Sequence, residues 1–244
     1  MMLRALPRAA AATLFAALLP PLSATAADIN SIGNLTQTQF RLLSEDLGAA
    51  LSYKPLIPSE PLGVPGFDIG AAVTGTDLKN PLFLSIASSG QAVDTTMLVA
   101  TLRGHVGLPF GIDVGAAYSQ VPDTNIEFWG GELRWAFMAG STALPAVALR
   151  ASYTGTSGID QLKVTTAGAD ISISKGIAMF TPYAGIGQVW VKSTPQGVPS
   201  LTEESFSQTK YYAGVNVFLG VNFAFEVDST GDIVTYGAKV GIRF

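Results

Sequence analysis

The chain has 244 residues, only 13% of them charged against about 25% in soluble domains, and its mean hydropathy is +0.36. It has no cysteine and a net charge of −4, so there is no disulfide framework to read and no basic patch to suggest nucleic acid as a partner. Beyond the first 27 residues no run of about 20 residues escapes polar interruption, which excludes a bundle of membrane-spanning helices. A chain this apolar can then satisfy its backbone in lipid only as a closed barrel, the alternative being a soluble β-sandwich with a large core.

In chain order, Arg4 and Arg8 precede the apolar run 9–19, and the small residues Ala24, Thr25, Ala26 and Ala27 follow. This pattern predicts a cleaved signal peptide over residues 1–27, with the mature chain starting near Asp28. Phe40, Leu43, Leu47 and Leu51 then recur at helical spacing while Ser44, Glu45 and Asp46 face away, which predicts a short amphipathic helix capped by Thr36 or Thr38. Residues 48–56 also read as a strand. Pro55, Pro58, Pro61 and Pro65 make 54–65 an extended connector. We expect residues 28–65 to form a periplasmic N-terminal segment that packs in or under the barrel mouth.

From Gly66 to Phe244 the pattern is a run of segments of barrel-strand length, near 66–76, 95–106, 110–121, 125–138, 143–155, 161–174, 177–192, 206–218, 221–228 and 233–244. Short links alternate, imperfectly, with longer ones. An all-β, transmembrane, up-and-down antiparallel barrel of about ten strands is therefore expected, eight or twelve being the alternatives. An even number sets both ends of the barrel segment on the periplasmic side.

Two strands carry the membrane reading. In the fourth, Trp129, Leu133, Trp135 and Phe137 share one face and Glu132 and Arg134 the other. Trp129, Trp135 and Phe137 are expected in aromatic girdles, with Trp129 and Phe137 roughly 20 Å apart along the membrane normal. In the last, Val234, Tyr236, Ala238, Val240, Ile242 and Phe244 alternate with Thr235, Gly237, Lys239, Gly241 and Arg243. The seventh supports either phase.

The terminal Phe244, and the P-Y-A-G-I-G segment from Pro182 to Gly187, resemble small bacterial outer-membrane β-barrels of the OmpA-like and OmpW-like kind. L-S-Y-K-P-L and G-F-D-I-G, between Leu51 and Gly70, further resemble proteobacterial outer-membrane proteins from which no activity carries over. The resemblance implies the cell outer membrane as location, with its lipid and lipopolysaccharide as surroundings. It also implies that Tyr236, Val240, Ile242 and Phe244 are an assembly signal read by the barrel-assembly machinery.

The opposite parity places Asp68, Arg103, His105, Asp113, Glu132, Arg134, Arg150, Asp170, Lys210, Glu226, Asp228, Lys239 and Arg243 inside. With turns about Leu108 and Leu219, Arg103 faces Asp113 and Lys210 faces Asp228. A charge in a narrow lumen needs a partner, so these residues read first as a structural ion-pair network.

Catalysis is not expected, because the one histidine, His105, sits near the periplasmic end of its strand with no nucleophile pattern beside it. No cofactor or metal spacing is present; Glu203 and Glu204 read as a solvated loop face. Pro81, Leu82, Phe83, Leu84 and Ile86 are unusually apolar for an outer loop, as a lid or partner surface would be. Two functions remain, the first preferred: a narrow channel passing a small-molecule solute, with the inward charges shaping its selectivity, and a closed barrel with a structural, adhesion or envelope-integrity role.

Overall fold

The computed structural model describes residues 28–244; the expected signal peptide, 1–27, lies outside them. Ten strands follow in sequence: β1 (Phe67–Asp77), β2 (Thr96–Leu108), β3 (Ile112–Gln120), β4 (Glu127–Met138), β5 (Ala146–Ser157), β6 (Leu162–Ser174), β7 (Phe180–Pro195), β8 (Glu204–Phe218), β9 (Asn222–Thr230) and β10 (Ile233–Arg243). Each pairs antiparallel with its sequence neighbours, and β1 pairs with β10 from Asp68↔Arg243 to Thr76↔Thr235, which closes the barrel. Closure leaves no edge strand, the one sheet solution that satisfies every backbone group in hydrocarbon.

The barrel has two distinct ends. Phe67 and Phe244 meet at one, their backbones exchanging hydrogen bonds of 2.8 and 2.9 Å, beside the shorter links. We call this the turn end. The opposite loop end carries the long link between β1 and β2, which holds the helix α2 (Pro81–Ala87).

Outside, the expected alternation holds. Trp129, Leu133, Trp135 and Phe137 are all about half exposed, while Glu132 and Arg134 on the other face of β4 are buried. Most exposed aromatics form two rings. Tyr118, Trp129, Tyr153, Trp190, Tyr211 and Tyr236 lie toward the loop end; Phe67, Trp135, Phe137, Phe180, Phe218 and Phe244 lie toward the turn end. Trp129 to Phe137 and Tyr236 to Phe244 each span eight residues, roughly 20 Å of membrane at the usual strand tilt. An apolar belt between two aromatic rings suits hydrocarbon, and the barrel is of the transmembrane type.

Two expected registers are corrected. β2 and β3 turn about Phe110, where Phe110 and Gly111 have φ of 66° and 73°, so Arg103 faces Ala117 and Asp113 faces Gly107. The turn between β8 and β9 centres on Gly220 (φ 82°), which sets Lys210 against Thr230 and Asp228 against Tyr212. Strand ends differ from expectation by up to three residues. β7 resolves with Trp190 outward and Tyr183, Val189 and Val191 inward.

Residues 28–65, expected as a periplasmic segment in or under the barrel mouth, run the length of the barrel instead. The first described residues cap the loop end, where the Ile29 amide donates to Asn125 and the Ile32 amide to Gln161. The helix α1 (Gln37–Leu51) enters the barrel there, its Thr36 cap closed by a reciprocal capping box with Gln39. Residues 52–62 continue along the lumen without strand pairing, and the turn at residues 63–66 emerges at the turn end, where Gly107 donates to Gly66 O at 2.8 Å. Residues 48–56 are thus helix to Leu51 and unpaired chain after it.

Width explains the threading: eight strands leave an interior that side chains alone can fill, whereas ten leave a wider one. Around α1 the inside is apolar: Phe40, Leu43 and Leu47 pack with Val99, Phe128, Val164, Val189 and Val191 from the wall and Leu84 from α2. Gly48 permits close approach to β7, since a Cβ there would lie 2.7 Å from the Val191 side chain. Because the helix is enclosed, Ser44 and Asp46 do not face solvent as expected. Ser44 donates to Phe40 O at 2.8 Å, and Asp46 accepts from the amides of Asn80 and Lys79 at 2.7 and 3.2 Å. The apolar outer loop turns Leu84 and Ala87 inward onto this cluster and leaves Leu82 exposed.

Candidate functional site: the occupied lumen

Inward charges from nine strands surround residues 52–62. At the turn end, Asp68 is fully buried and holds Lys239 and, at 3.0 Å, Arg243. Next, Asp113 binds Arg134 across neighbouring strands at 2.6 Å. Farther round, Glu132 lies 2.9 Å from His105 and 3.5 Å from Arg150. Arg150 in turn binds Asp170 at 2.7 Å and Tyr212 at 2.5 Å. Lys210 sits 3.8 Å from Asp228, a diagonal pair that survives the register correction. Arg103 and Asp113, expected as partners, do not pair with each other.

Much of this network is directed at the threaded segment. Arg103 donates to Lys54 O at 2.8 Å and lies over the Tyr53 ring, while Lys210 donates to Tyr53 O at 2.7 Å. Arg134 donates to Pro58 O at 2.5 Å. Acceptors complement these donors: Glu226 takes the Leu56 amide at 2.8 Å, Ser174 the Ser59 amide at 3.0 Å and Asp113 the Leu62 amide at 3.1 Å. The segment returns a charge of its own through Lys54, which reaches Asp228 at 2.8 Å. A buried irregular chain is tolerable only when its backbone groups find partners, and here the wall side chains supply them.

Sequence reasoning missed this role for Tyr53 and Lys54. The signal was their position in a proline-spaced stretch beside a barrel too wide to be filled by its own side chains. Packing inside is close: a Cβ on Gly115 would lie 2.3 Å from the His105 ring. Small voids in the lumen include one of about 30 Å³ beside Tyr53 and Arg103 and one of about 10 Å³ beside Asp170 and Lys210, room for about one or two waters each. Asp68, Arg103, His105, Asp113, Glu132, Arg134, Arg150, Lys210, Asp228 and Lys239 are all buried, and Asp170 is partly so.

Other sequence-predicted residues fall elsewhere. Tyr236, Ile242 and Phe244 face outward along β10, with Val240 partly covered on the same face. Glu203 pairs with Lys192 at 2.9 Å, and that contact holds its carboxyl below the usual range. Glu204 binds Arg41 and Gln37 of α1, so it anchors the helix rather than forming a loop face. Among the described residues no group of three or more His, Asp or Glu has metal-site geometry.

No protein-family model matches the sequence, and no curated protein matches it. Solved structures with a similar fold include the N-terminal β-barrel domain of Pseudomonas aeruginosa OprF, 12% identical, covering 75% of this chain and 99% of that one with a TM-score of 0.40. The KdgM porin is 8% identical over 72% of this chain and 99% of its own, with a TM-score of 0.39. The outer membrane protein Omp33 of Acinetobacter baumannii is 12% identical over 77% and 100%, at 0.35. Similarity of this degree is to barrel architecture and assigns no activity.

Proposed function

We propose that this protein is an outer-membrane barrel closed at rest by its own N-terminal segment, with a structural or surface-presenting role in the envelope. The observation that carries the reading is the continuous filling of the lumen from Ile29 to Gly66, with wall charges satisfied by the segment's backbone. The narrow passage that the inward charges suggested requires that segment to leave, and the geometry favours the closed alternative. His105 is buried against Glu132 and Tyr53, which supports a non-catalytic role. The outward residues of β10 are proposed as the surface read during assembly, and lipid and lipopolysaccharide as the belt's neighbours.

Planar-bilayer recording of the refolded mature chain tests this, with heat-modifiable gel migration verifying the fold. The closed reading expects no steady conductance at any voltage that leaves the barrel folded. A stable ohmic current from the intact chain would overturn it in favour of the channel.

A further inference from the structure

The wall recognises the threaded segment mainly through its backbone, and it does so with a period. Pro55, Pro58 and Pro61 stand three residues apart and carry no N–H. The residue after each, Leu56, Ser59 and Leu62, has its amide bound by a wall acceptor on β9, β6 and β3 in turn. Each repeat therefore presents one amide that is missing and one that is matched. Arg134 meanwhile takes the Pro58 carbonyl between two of these positions. Leu56 has a φ of 48°, so the chain bends at its first repeat, and the prolines, each with φ fixed in advance, lower the conformational entropy the segment loses on binding.

We propose that the lumen is a binding site for a proline-spaced polypeptide, and that residues 53–62 are its resident ligand, exchangeable for a free peptide of the same spacing. This rests on the closed-barrel reading and goes beyond it, because a filled barrel need not have an exchangeable filling. The contacts are of the exchangeable kind. They are hydrogen bonds to main chain from separate strands, which an incoming chain re-forms as the resident leaves. None of the wall residues that make them is itself part of the segment.

The test uses the full mature chain with a protease recognition sequence inserted between Val64 and Pro65, at the exposed turn where the segment leaves the lumen. After refolding and cutting, native mass spectrometry follows the severed fragment while a fluorescent peptide of residues 28–64 is added. The expected result is a retained one-to-one complex that exchanges with the labelled peptide, at least tenfold in preference to a peptide whose prolines are each moved by one position. Immediate loss of the fragment, retention without exchange, or equal competition by the shifted peptide each overturns the proposal. If the insertion disturbs the turn, the uncut Lys54→Met chain, which weakens the resident segment and leaves the wall and its Asp228 intact, serves instead: saturable uptake of the labelled peptide supports the proposal, and no uptake overturns it. These outcomes are separate from the conductance of the intact chain, which alone decides the closed-barrel reading.

Discussion

Replacing Arg103 by Met isolates the hold of the wall on the threaded segment, because both hydrogen bonds of this guanidinium go to Tyr53 and Lys54. Methionine keeps much of the buried stem and leaves strand pairing intact. The charge-assisted bond to Lys54 O at 2.8 Å is worth about 1.5–3 kcal/mol. The guanidinium over the Tyr53 ring, 5.3 Å from its centroid, adds about 0.5–1 kcal/mol. The variant should therefore weaken docking by about 2–4 kcal/mol, raising the undocked population by a factor of about 30–1000. Hydrogen exchange in detergent micelles reads this directly, since the amides of Leu56, Ser59 and Leu62 are protected only by wall side chains. Their protection should fall by that factor while strand amides keep theirs. If segment and strand amides lose protection together, or neither does, the segment is not a separately docked element and the reasoning fails.

Three further outcomes follow from the same geometry. Arg134→Met should cost about 3–5 kcal/mol by stranding the buried Asp113 carboxylate, and Arg134→Met with Asp113→Leu should recover most of it in denaturant unfolding; a double variant no better than the single one would contradict the pairing. Gly48→Leu should cost about 1–3 kcal/mol through overpacking against Val191 and should lower the temperature of the heat-modifiable shift, whereas an unchanged shift would place the helix elsewhere. Asp46, in α1 and outside the strands, is pushed above the usual carboxylate range by burial, against the amide bonds from Asn80 and Lys79. Its folded-state value lies above its unfolded one, so its contribution is full below the unfolded pKa and is lost as pH rises through the folded one. Acidification from neutral should accordingly leave the Lys79 and Asn80 amides at least as protected, after correction for intrinsic exchange, and this pH dependence should vanish in Asp46→Asn; loss of protection in acid would refute the assignment.

What the sequence made legible was whatever faces lipid. The outward side chains of β4 and β10 meet one uniform solvent, so their alternation runs unbroken and their aromatics mark the interfaces. The inside is less regular, being apolar around α1 and charged around residues 52–62. At Val189, Trp190 and Val191 both faces of β7 are therefore apolar, and the period-two signal that fixes phase disappears. Registers failed where turn centres failed. A shift of two residues kept Lys210 and Asp228 on one face and within 3.8 Å, but a shift of four carried Arg103 past Asp113. The periodicity of Phe40, Leu43 and Leu47 announced an apolar helix face without saying what would cover it. Only the ten-strand count, set against the eight that side chains alone can fill, pointed to the lumen.

The central claim is that residues 28–66 run from the loop end to the turn end inside the barrel. The absence of native cysteine allows a direct test with single cysteines at Asn30, exposed at the loop end, and at Val64, exposed at the turn end. Intact cells are treated with a membrane-impermeant maleimide. The account predicts labelling of Asn30→Cys on intact cells and of Val64→Cys only after the envelope is opened. Labelling of both positions only after opening would place the whole segment beneath the barrel and contradict the account.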